Sequence, residues 1–362
     1  MRFRMLGVVM LVCAGALAQD DPPPLHTEPG IRAPLVIEEL VTPMYLINRK
    51  TEKVIGTAGG FTYHRFLIGD ALHGSQARKL DNHILDDFQC LTAARPWDNL
   101  AVLGALHTFN VREEPLTYHH WSGPIGAIFT ELRTRKNGAD AKAPVAVMGL
   151  TAGEMACYAL RGQKMTFYES DPSMERLVAD SDKYFSYVSD ARKRGADIEV
   201  HNGDRRTRLK LDETRKYALI VVDLAESFPF PTDIFTKEAV QEYFDRLTDD
   251  GLVVLHISNR YIYLEPMFAK MAKDLKLTAR VWYDNDSLMR GKTASAWVVL
   301  VRDEKTLGSL DTPPAANKFG PLVSIKGIPV WTDEKADVWI LCFSPILQTL
   351  RRYIGLPTPL DP

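Results

Sequence analysis

The feature that most constrains the fold of this chain is the alternation of apolar and amphipathic segments between Pro144 and Arg302. The apolar segments have the length and composition of β-strands, and the segments between them have the spacing of helices. The predicted strands are VAVMGL, KMTFYES, DIEVHNG, YALIVVDL, GLVVLHIS, ARVWYD and SAWVVLVR. Repeated strand–helix–strand units with apolar strands predict an α/β fold, in which helices cover both faces of a parallel sheet.

The turn after the first predicted strand has the form of a nucleotide-binding turn. Gly149 and Gly153 bracket it. Ligands of such sheets bind at the carboxyl ends of the strands, where glycine lets the backbone approach closely. The turn reads GLTAG, so Thr151 occupies the position of the middle glycine in the G-x-G-x-x-G pattern of dinucleotide sites. A ligand without a pyrophosphate needs that approach less, which favours S-adenosylmethionine or a relative over NAD.

One acidic residue follows each of the next three predicted strands. Glu169 ends the second strand and is well placed to accept hydrogen bonds from both ribose hydroxyls. Asp204 follows the third strand, where it could orient an adenine amino group, and Asp223 ends the fourth. Each acid alone could equally cap a helix or face solvent. Three acids at consecutive strand ends favour a nucleoside site.

Other polar residues have simpler interpretations. The segment RRTR, residues 205–208, is predicted to be a solvated surface turn. His256 lies within an apolar strand and is predicted to be a core histidine with satisfied hydrogen bonds. Outside the first 18 residues the cysteines are Cys90, Cys157 and Cys342. They form no disulfide framework and no two have zinc-ligand spacing, so no metal site is expected.

The first 18 residues have the pattern of a secretory signal. Two basic residues precede a short apolar run, and ALA before Gln19 has the small-x-small form of a cleavage site. We expect an exported protein, either periplasmic or secreted. The alternative is a membrane anchor formed by an uncleaved N-terminus, and no other membrane span is expected. Residues 19–36 are polar and rich in proline, which indicates a flexible leader.

Length and charge limit the remaining possibilities. The chain has 362 residues, of which 46% are hydrophobic and 25% are charged, with a formal net charge of −2. These values suit one large or two modest domains, and they give no electrostatic reason to expect nucleic acid as a partner. Residues 37–118 are predicted to form a small β-rich domain with a partly helical insertion. Residues 119–310 form the strand–helix domain, and residues 311–362 form a C-terminal tail.

Several motifs, in order along the chain from about residue 62 to 335, resemble one family. The chain is similar to the spermidine synthase-like proteins (polyamine aminopropyltransferases), especially the bacterial branch that is often fused to membrane transporter segments. The motifs are FLIGDALHGSQ with His73, Gly74 and Gln76, REEPLTYHHWSGPIG with Tyr118, His119 and Gly126, YFSYVSDARKRGADIEVHNGDRRTRL with Asp190, Gly203 and Asp204, HISNRYIYLEP, and VWTDE. About thirty residues between Gln76 and Glu113 have no counterpart and look like an insertion.

The resemblance implies a Rossmann-like sheet of the S-adenosylmethionine-dependent methyltransferase type, preceded by a small β domain. It implies transfer of an aminopropyl group from decarboxylated S-adenosylmethionine to a polyamine such as putrescine, without a metal. Gln76 matches a glutamine near the nucleoside. Tyr118 and His119 match a substrate-binding position, although they could equally be aromatic packing between two domains. His73 is expected to hydrogen-bond within the small domain, and a homodimer is one expected assembly.

The chain departs from the family where the catalytic base is expected. In spermidine synthases the base is the second aspartate of a D-S-S-D turn after strand four. Asp223 matches the first aspartate, and the second falls on Glu226 in one alignment. In the transporter-fused branch a gapless match puts that acid on Phe228 and keeps Pro231 in register, which favours the second alignment. A phenylalanine cannot accept a proton.

Three functions therefore stay open. The first is aminopropyl transfer, with Asp223 holding the amine or the sulfonium and Glu226 as the candidate base. The second is methyl transfer from S-adenosylmethionine on the same scaffold. The third is a non-catalytic exported protein that binds polyamines or nucleosides. Export favours the third, because neither form of the cofactor is expected outside the cytoplasm, whereas the acids at the strand ends favour the first two.

Overall fold

A computed structural model describes most of the chain between residues 10 and 341. The described ranges are 10–13, 23–30, 33–47, 54–68, 71–82, 111–135, 141–212, 215–223, 230–259, 261–285, 291–312 and 318–341. Within these ranges no helix has the length and apolar character needed to cross a membrane.

A seven-stranded sheet organises the larger part of the fold. Its spatial order is β11-β12-β10-β9-β6-β7-β8. The strands are β6 (Val145–Met148), β7 (Lys164–Glu169), β8 (Asp197–Asn202), β9 (Tyr217–Val222), β10 (Leu247–His256), β11 (Thr278–Asp284) and β12 (Ser295–Val301). The neighbours from β8 to β10 are all parallel. The chain starts at β6, runs outward to β8 and returns to β9, so the strand order reverses between β6 and β9. Ligands of doubly wound sheets bind at such a switch point.

Helices connect these strands and cover the sheet. The α-helices are α1 (Pro124–Thr134), α2 (Pro172–Met174), α3 (Tyr187–Lys193), α4 (Arg205–Leu211), α5 (Lys237–Asp245), α6 (Glu265–Asp274) and α7 (Val338–Leu341). A π-helical turn, Glu175–Ala179, continues α2. The 3₁₀ segments within the described ranges are Val111–Glu113, Glu154–Tyr158, Thr232–Phe235 and Glu304–Asp311.

Successive residues of the central strands pack on opposite faces of the sheet. In β6, Val145 and Val147 belong to one buried cluster, whereas Ala146 and Met148 belong to another. The first cluster includes apolar residues of α1 and α3, and the second includes those of α5 and α6. Side chains alternate between faces along a strand, so a strand buried on both faces must be apolar throughout. This confirms the predicted α/β class with helices on both faces.

One edge of the sheet departs from the predicted parallel arrangement. β12 lies between β10 and β11 and is antiparallel to both. The chain between Asp284 and Ser295 is too short for the helical crossover that a parallel neighbour requires, so β11 and β12 pair as adjacent antiparallel strands.

A second, antiparallel sheet precedes the large one. Its order is β1-β3-β4-β5, with β2 also paired to β3. The strands are β1 (Met10–Cys13), β2 (His26–Glu28), β3 (Leu35–Ile47), β4 (Val54–Ile68) and β5 (Ala71–Asn82). β1 falls within the predicted signal and β2 within the predicted leader. The predicted small β-rich domain corresponds to β3 to β5, and its helical insertion lies outside the described residues.

The segment assigned above to a C-terminal tail contributes to the core in its described part. Phe319 and Trp331 are buried, and Phe319 packs against Trp282 of β11 with their ring centroids 5.1 Å apart. Gly320 forms an antiparallel bridge with Val281. The sheet domain therefore extends beyond residue 310.

The two sheets share one buried core and meet closely at Gly74 in β5. Phe66 of β4 contacts Phe185 edge to face, with the ring centroids 6.0 Å apart. A Cβ atom added at Gly74 would lie 2.4 Å from Ala152 Cβ and 2.9 Å from Glu154 Oε2. Glycine is required here because β5 lies directly against the turn that follows β6.

We expect Gly74→Ala to destabilise the protein by about 1–3 kcal/mol, because the added methyl group overpacks the contact between the sheets. Chemical denaturation followed by circular dichroism would measure the loss. The matched control is Gly320→Ala, where nothing lies within 4 Å of the added Cβ. Equal stability of the two variants would contradict the close contact.

Candidate active site

The turn after β6 has the left-handed backbone that its glycines predict. Gly149 and Gly153 have φ of 112° and 83°, and Thr151 between them has φ of 48°. A Cβ atom on Gly153 would lie 3.0 Å from Val178 and 3.0 Å from Val188. The tight turn thus packs against the helical layer, and the residue that follows it, Glu154, is buried.

Glu169 ends β7 as predicted, and its carboxylate is buried. Oε2 accepts a hydrogen bond from the Leu150 backbone N–H at 3.0 Å. Oε1 accepts from the backbone N–H groups of Ser170 at 2.6 Å and Asp171 at 2.9 Å, and from the guanidinium of Arg205. Four N–H donors therefore surround the carboxylate that was predicted to bind ribose.

Asp204 follows β8, where its Oδ1 caps α4 by accepting from the Thr207 backbone N–H at 2.8 Å. Hydrogen bonding to the Thr207 side chain, together with this backbone bond, holds the pKa of Asp204 below its usual value. The side chain is exposed, so it combines the predicted strand-end position with a capping role. The prediction that residues 205–208 are solvated is wrong for Arg205, which is 8% exposed because it turns inward to Glu169.

A fully buried histidine lies at the centre of the site. His119 Nδ1 is 3.1 Å from Glu154 Oε2, and Nε2 is 2.7 Å from Asp223 Oδ2. Burial acts against the charged imidazolium, but the carboxylates on both sides outweigh it and raise the pKa of His119 to about 10. The imidazole is therefore protonated at neutral pH and donates from both nitrogens.

Glu154 is held by the small sheet as well as by His119. Its Oε1 accepts from the Ser75 backbone N–H at 2.8 Å and from the Thr117 hydroxyl at 3.2 Å. Burial raises the pKa of Glu154, and its hydrogen bonds to His119 and Ser75 oppose that shift. The carboxylate thus joins β5, the segment before α1 and the turn after β6.

Asp223, the predicted acid at the end of the fourth strand, is bound by two histidines. Its Oδ1 accepts from His256 Nδ1 at 2.9 Å, while Oδ2 accepts from His119. Burial disfavours its charge, but the two histidines outweigh burial and hold the pKa of Asp223 well below its usual range. Asp223 is consequently a fixed negative charge and a weak base. His256 Nε2 lies 2.9 Å from the Ser258 hydroxyl, which extends the chain of hydrogen bonds along β10.

Aromatic rings enclose these histidines. The Tyr118 ring lies 4.3 Å from that of His119 and 4.4 Å from that of His256, measured between centroids. The indole of Trp297 stacks on His256 at 4.4 Å. Tyr118 also donates its hydroxyl to the His73 carbonyl at 3.1 Å. The YHHW segment therefore combines aromatic packing at the domain junction with a charged role for its first histidine.

His73 contributes a nitrogen that protein groups leave unused. Its side chain is buried, and within the described ranges Nε2 has no hydrogen-bond partner. Burial lowers the pKa of His73 to about 4, and the nearby imidazoles of His256 and His119 act in the same direction against Asp223. The ring is neutral at neutral pH.

Gln76 joins β5 of the small sheet to the start of α3 through its amide. Its Nε2 donates to the Arg112 carbonyl at 2.7 Å and to the Ser186 hydroxyl at 2.9 Å. Its Oε1 accepts from the Ser186 backbone N–H at 2.8 Å and from Arg78 at 3.1 Å. These bonds place Gln76 at the start of α3 and account for its complete burial.

Two residues of the predicted site lie outside the described residues. They are Glu226 and Phe228, the alternatives for the catalytic base. Among the residues that the structure describes, no group of three or more histidine, cysteine or acidic side chains has the arrangement of a metal site.

Sequence reasoning missed two participants in this site, Glu154 and Arg205. His256 is a buried histidine with satisfied hydrogen bonds, as predicted, but its partner Asp223 was not predicted. Glu154 is the one charged residue in the apolar segment EMACYAL, and that isolation was the available signal, because buried charges are rare unless they are paired. Arg205 carried no comparable signal, because it lies in a run of charged residues.

The chain is similar, at low sequence identity, to several solved structures. A probable spermidine synthase from Corynebacterium glutamicum is 14% identical over 77% of this chain and 80% of that chain, with a TM-score of 0.39. The spermidine synthase from Thermotoga maritima is 11% identical over 92% of this chain and 87% of that chain, with a TM-score of 0.39. Human methyltransferase-like protein 13 in complex with SAH is 18% identical over 53% of this chain and 86% of that chain, with a TM-score of 0.36. No family model and no curated protein matches the sequence.

The topology defines the fold class. A parallel sheet whose strand order reverses between β6 and β9, with helices on both faces and an antiparallel β12, is the Rossmann-like sheet of the methyltransferase type. A small antiparallel sheet precedes it.

The raised pKa of His119 predicts a pH dependence of stability. Below about pH 6.5, the ordinary histidine pKa, folded and unfolded chains both carry the proton, and the paired imidazolium contributes its full stabilisation. Between about pH 6.5 and 10 only the folded chain keeps the proton, so this stabilisation is lost as the pH rises. We expect the difference in unfolding free energy between the parent and His119→Gln to narrow across this window. Denaturant titrations at several pH values would measure it.

The control for this prediction is His201→Gln, a change at a partly exposed histidine of β8. A parent–variant difference at His119 that is constant from pH 6.5 to 10 would show that the imidazole is not charged between its two carboxylates.

Proposed function

We propose that this protein is a spermidine synthase-like transferase, which moves an aminopropyl group from decarboxylated S-adenosylmethionine to a polyamine such as putrescine. The observation that carries the proposal is the buried set of Glu154, His119 and Asp223 at the switch point of the sheet. It places two carboxyl groups against one imidazolium, and Asp223 is the one that the histidines hold ionised. Its fixed negative charge suits a pocket for cationic ligands, and both the sulfonium donor and the amine acceptor are cations.

Asp223 suits the role of holding a cation in place. Of roughly four acceptor positions on a carboxylate, His119 and His256 use two, so each oxygen keeps one for an amine. Its depressed pKa keeps it ionised but makes it a weak base. Asp223 therefore binds and orients the amine rather than taking its proton, and orientation supplies a large part of the rate in such transfers.

The proposed transfer needs a separate base. The amine nitrogen forms a bond to the aminopropyl carbon while the bond from that carbon to sulfur breaks, and the sulfur leaves as a neutral thioether. The amine loses one proton in the process, and a positioned base accepts it. Glu226 is the candidate for this role. The unpartnered Nε2 of His73 is a further polar contact for the amine near Asp223.

The nucleoside part of the donor is proposed to lie along the glycine turn. Glu169 would bind the ribose, Asp204 the adenine amino group, and Gly149 and Gly153 would let the backbone approach. Gln76, Tyr118 and His119 line the same junction between the two sheets, where the small sheet closes over the turn. The predicted homodimer and export through the N-terminal signal stay predictions.

A non-catalytic protein that binds polyamines or nucleosides is the second candidate. A specific observation favours a polyamine-binding protein: Oε1 of Glu169 already accepts from three N–H groups, which opposes binding of the donor's ribose, whereas each oxygen of Asp223 keeps a position for an amine. Export would also separate the protein from its co-substrate. Methyl transfer from S-adenosylmethionine uses the same nucleoside contacts and is distinguished by its product.

Glu169→Ala should weaken the binding of adenosine ligands by more than about tenfold, because charge-assisted hydrogen bonds from two hydroxyls are worth about 1.5–3 kcal/mol each. Calorimetric titration with decarboxylated S-adenosylmethionine, S-adenosylmethionine and 5′-methylthioadenosine would measure the affinities. The control is Glu199→Ala, which removes an acid on the neighbouring strand β8. Unchanged affinity in a folded Glu169 variant would remove the nucleoside site from the proposal.

Catalysis is tested at the two candidate base positions. Glu226→Gln should lower aminopropyl transfer to putrescine by about 10²–10⁴-fold while donor affinity barely changes, because a positioned base contributes that much. Phe228→Asp restores an acid in the alternative alignment and should raise transfer if that alignment is right. Mass spectrometry of the polyamine product distinguishes aminopropyl from methyl transfer. Ligand binding without product in the parent and in both variants would leave the binding protein as the function.

A further inference from the structure

One oxygen of the carboxylate proposed to bind ribose is crowded with protein donors. An ionised carboxylate offers about four acceptor positions, two on each oxygen. Oε1 of Glu169 accepts from the backbone N–H groups of Ser170 and Asp171 and from the Arg205 guanidinium, with the Ser170 hydroxyl at 3.5 Å, whereas Oε2 accepts from the Leu150 N–H. A ribose diol would bring two further hydroxyl donors. One can use the remaining position on Oε2, but the other finds no position on Oε1 unless a present donor leaves.

Arg205 is the donor that can leave. The three amides belong to the turn after β6 and to the residues directly after β7, and their positions are fixed by the backbone. Arg205 reaches Glu169 only through its side chain, from the first turn of α4. Its Nε is buried and has no hydrogen-bond partner among the described residues. Glu169 is accordingly the hydrogen-bonding anchor of the guanidinium within the described structure.

We propose that Arg205 is a displaceable plug on the ribose-binding carboxylate and that it sets the affinity and the sugar selectivity of the site. This inference rests on the proposed nucleoside site. In the resting protein Arg205 forms a buried ion pair with Glu169. A nucleoside with both ribose hydroxyls competes with the guanidinium for Oε1, and binding requires the side chain to swing away.

The class of ligand follows from this competition. A diol replaces the guanidinium bond with two hydroxyl bonds to the same carboxylate, whereas a sugar that lacks the hydroxyls leaves Glu169 and Arg205 paired. The resting site therefore rejects deoxynucleosides only weakly. Their sugars gain no hydrogen bond to Glu169, and they do not break the ion pair between Glu169 and Arg205. Removing the plug should benefit only ligands that carry the diol.

The test compares Arg205→Met with the parent, using adenosine, 5′-methylthioadenosine and 2′,3′-dideoxyadenosine as titrants in calorimetry. Methionine keeps an unbranched apolar stem and removes the guanidinium donors. We expect about tenfold or more tighter binding of the two diol ligands, because the charge-assisted bond to Arg205 no longer has to be broken. We expect no gain for the dideoxy ligand.

The matched control is Arg206→Met, a change at the next position of the same helix. Arg206 pairs with Glu242 and Asp333 instead of Glu169, so its loss should leave nucleoside affinity unchanged. Arg205→Lys provides a second variant if the methionine variant is unstable, because it keeps a cation without the planar guanidinium. It should bind diol ligands with an affinity between those of the parent and Arg205→Met.

Three outcomes decide the matter. Tighter diol binding in Arg205→Met and not in Arg206→Met supports the plug. Equal or weaker diol binding in a folded Arg205 variant, when Glu169→Ala loses binding, overturns the plug and leaves the nucleoside site intact. No binding of any adenosine ligand by the parent or any variant overturns both the plug and the nucleoside site.

Discussion

His119 lies between Glu154 and Asp223, and the arrangement of the whole site depends on this buried charge. Removing one partner of a buried ion pair leaves an uncompensated charge, which is strongly destabilising. The three residues come from the domain junction, the turn after β6 and the end of β9, and Glu154 is further bound by Ser75 of the small sheet. The large sheet can therefore bury its strand ends in this way only when the small sheet is docked, with glycine at residue 74 allowing the approach.

The two strand-end acids, Glu169 and Asp223, are equally buried but chemically different. Oε1 of Glu169 accepts from three N–H donors, so a ligand must compete for that oxygen. Asp223 is held by two histidines and retains acceptor capacity, so a cation can be added without displacing a partner. The site therefore has two halves. At Glu169 a ligand must exchange with a protein donor, whereas at Asp223 the charge of the carboxylate attracts a cationic ligand. Both a transferase for two cationic substrates and a protein that only binds such ligands would use these properties. The two differ in whether a base near Asp223 can accept the proton of the amine.

Much of the fold could be predicted because burial imposes a pattern that is local in sequence. A strand covered on both faces must be apolar throughout, so β6, β9 and β12 could be read directly, and the acids that end the strands marked their carboxyl ends. The antiparallel direction of β12 was not predicted, because it depends on the length of the connection rather than on the strand. The contribution of Phe319 and Trp331 to the core was also missed, since isolated aromatic residues in an irregular segment have no periodicity.

The sequence by itself determined the strands, the glycine turn and the positions of Glu169, Asp204 and Asp223, because each is set by residues close together in the chain. Only the tertiary structure decided the partners of those acids. His119 and Asp223 are 104 residues apart, and Arg205 is 36 residues from Glu169. Whether a polar side chain faces solvent or pairs in the interior depends on which distant segment folds against it, and a buried charge is tolerated only where that segment supplies its partner. For this reason an arginine predicted to be on the surface is instead bound to the carboxylate at the centre of the candidate nucleoside site.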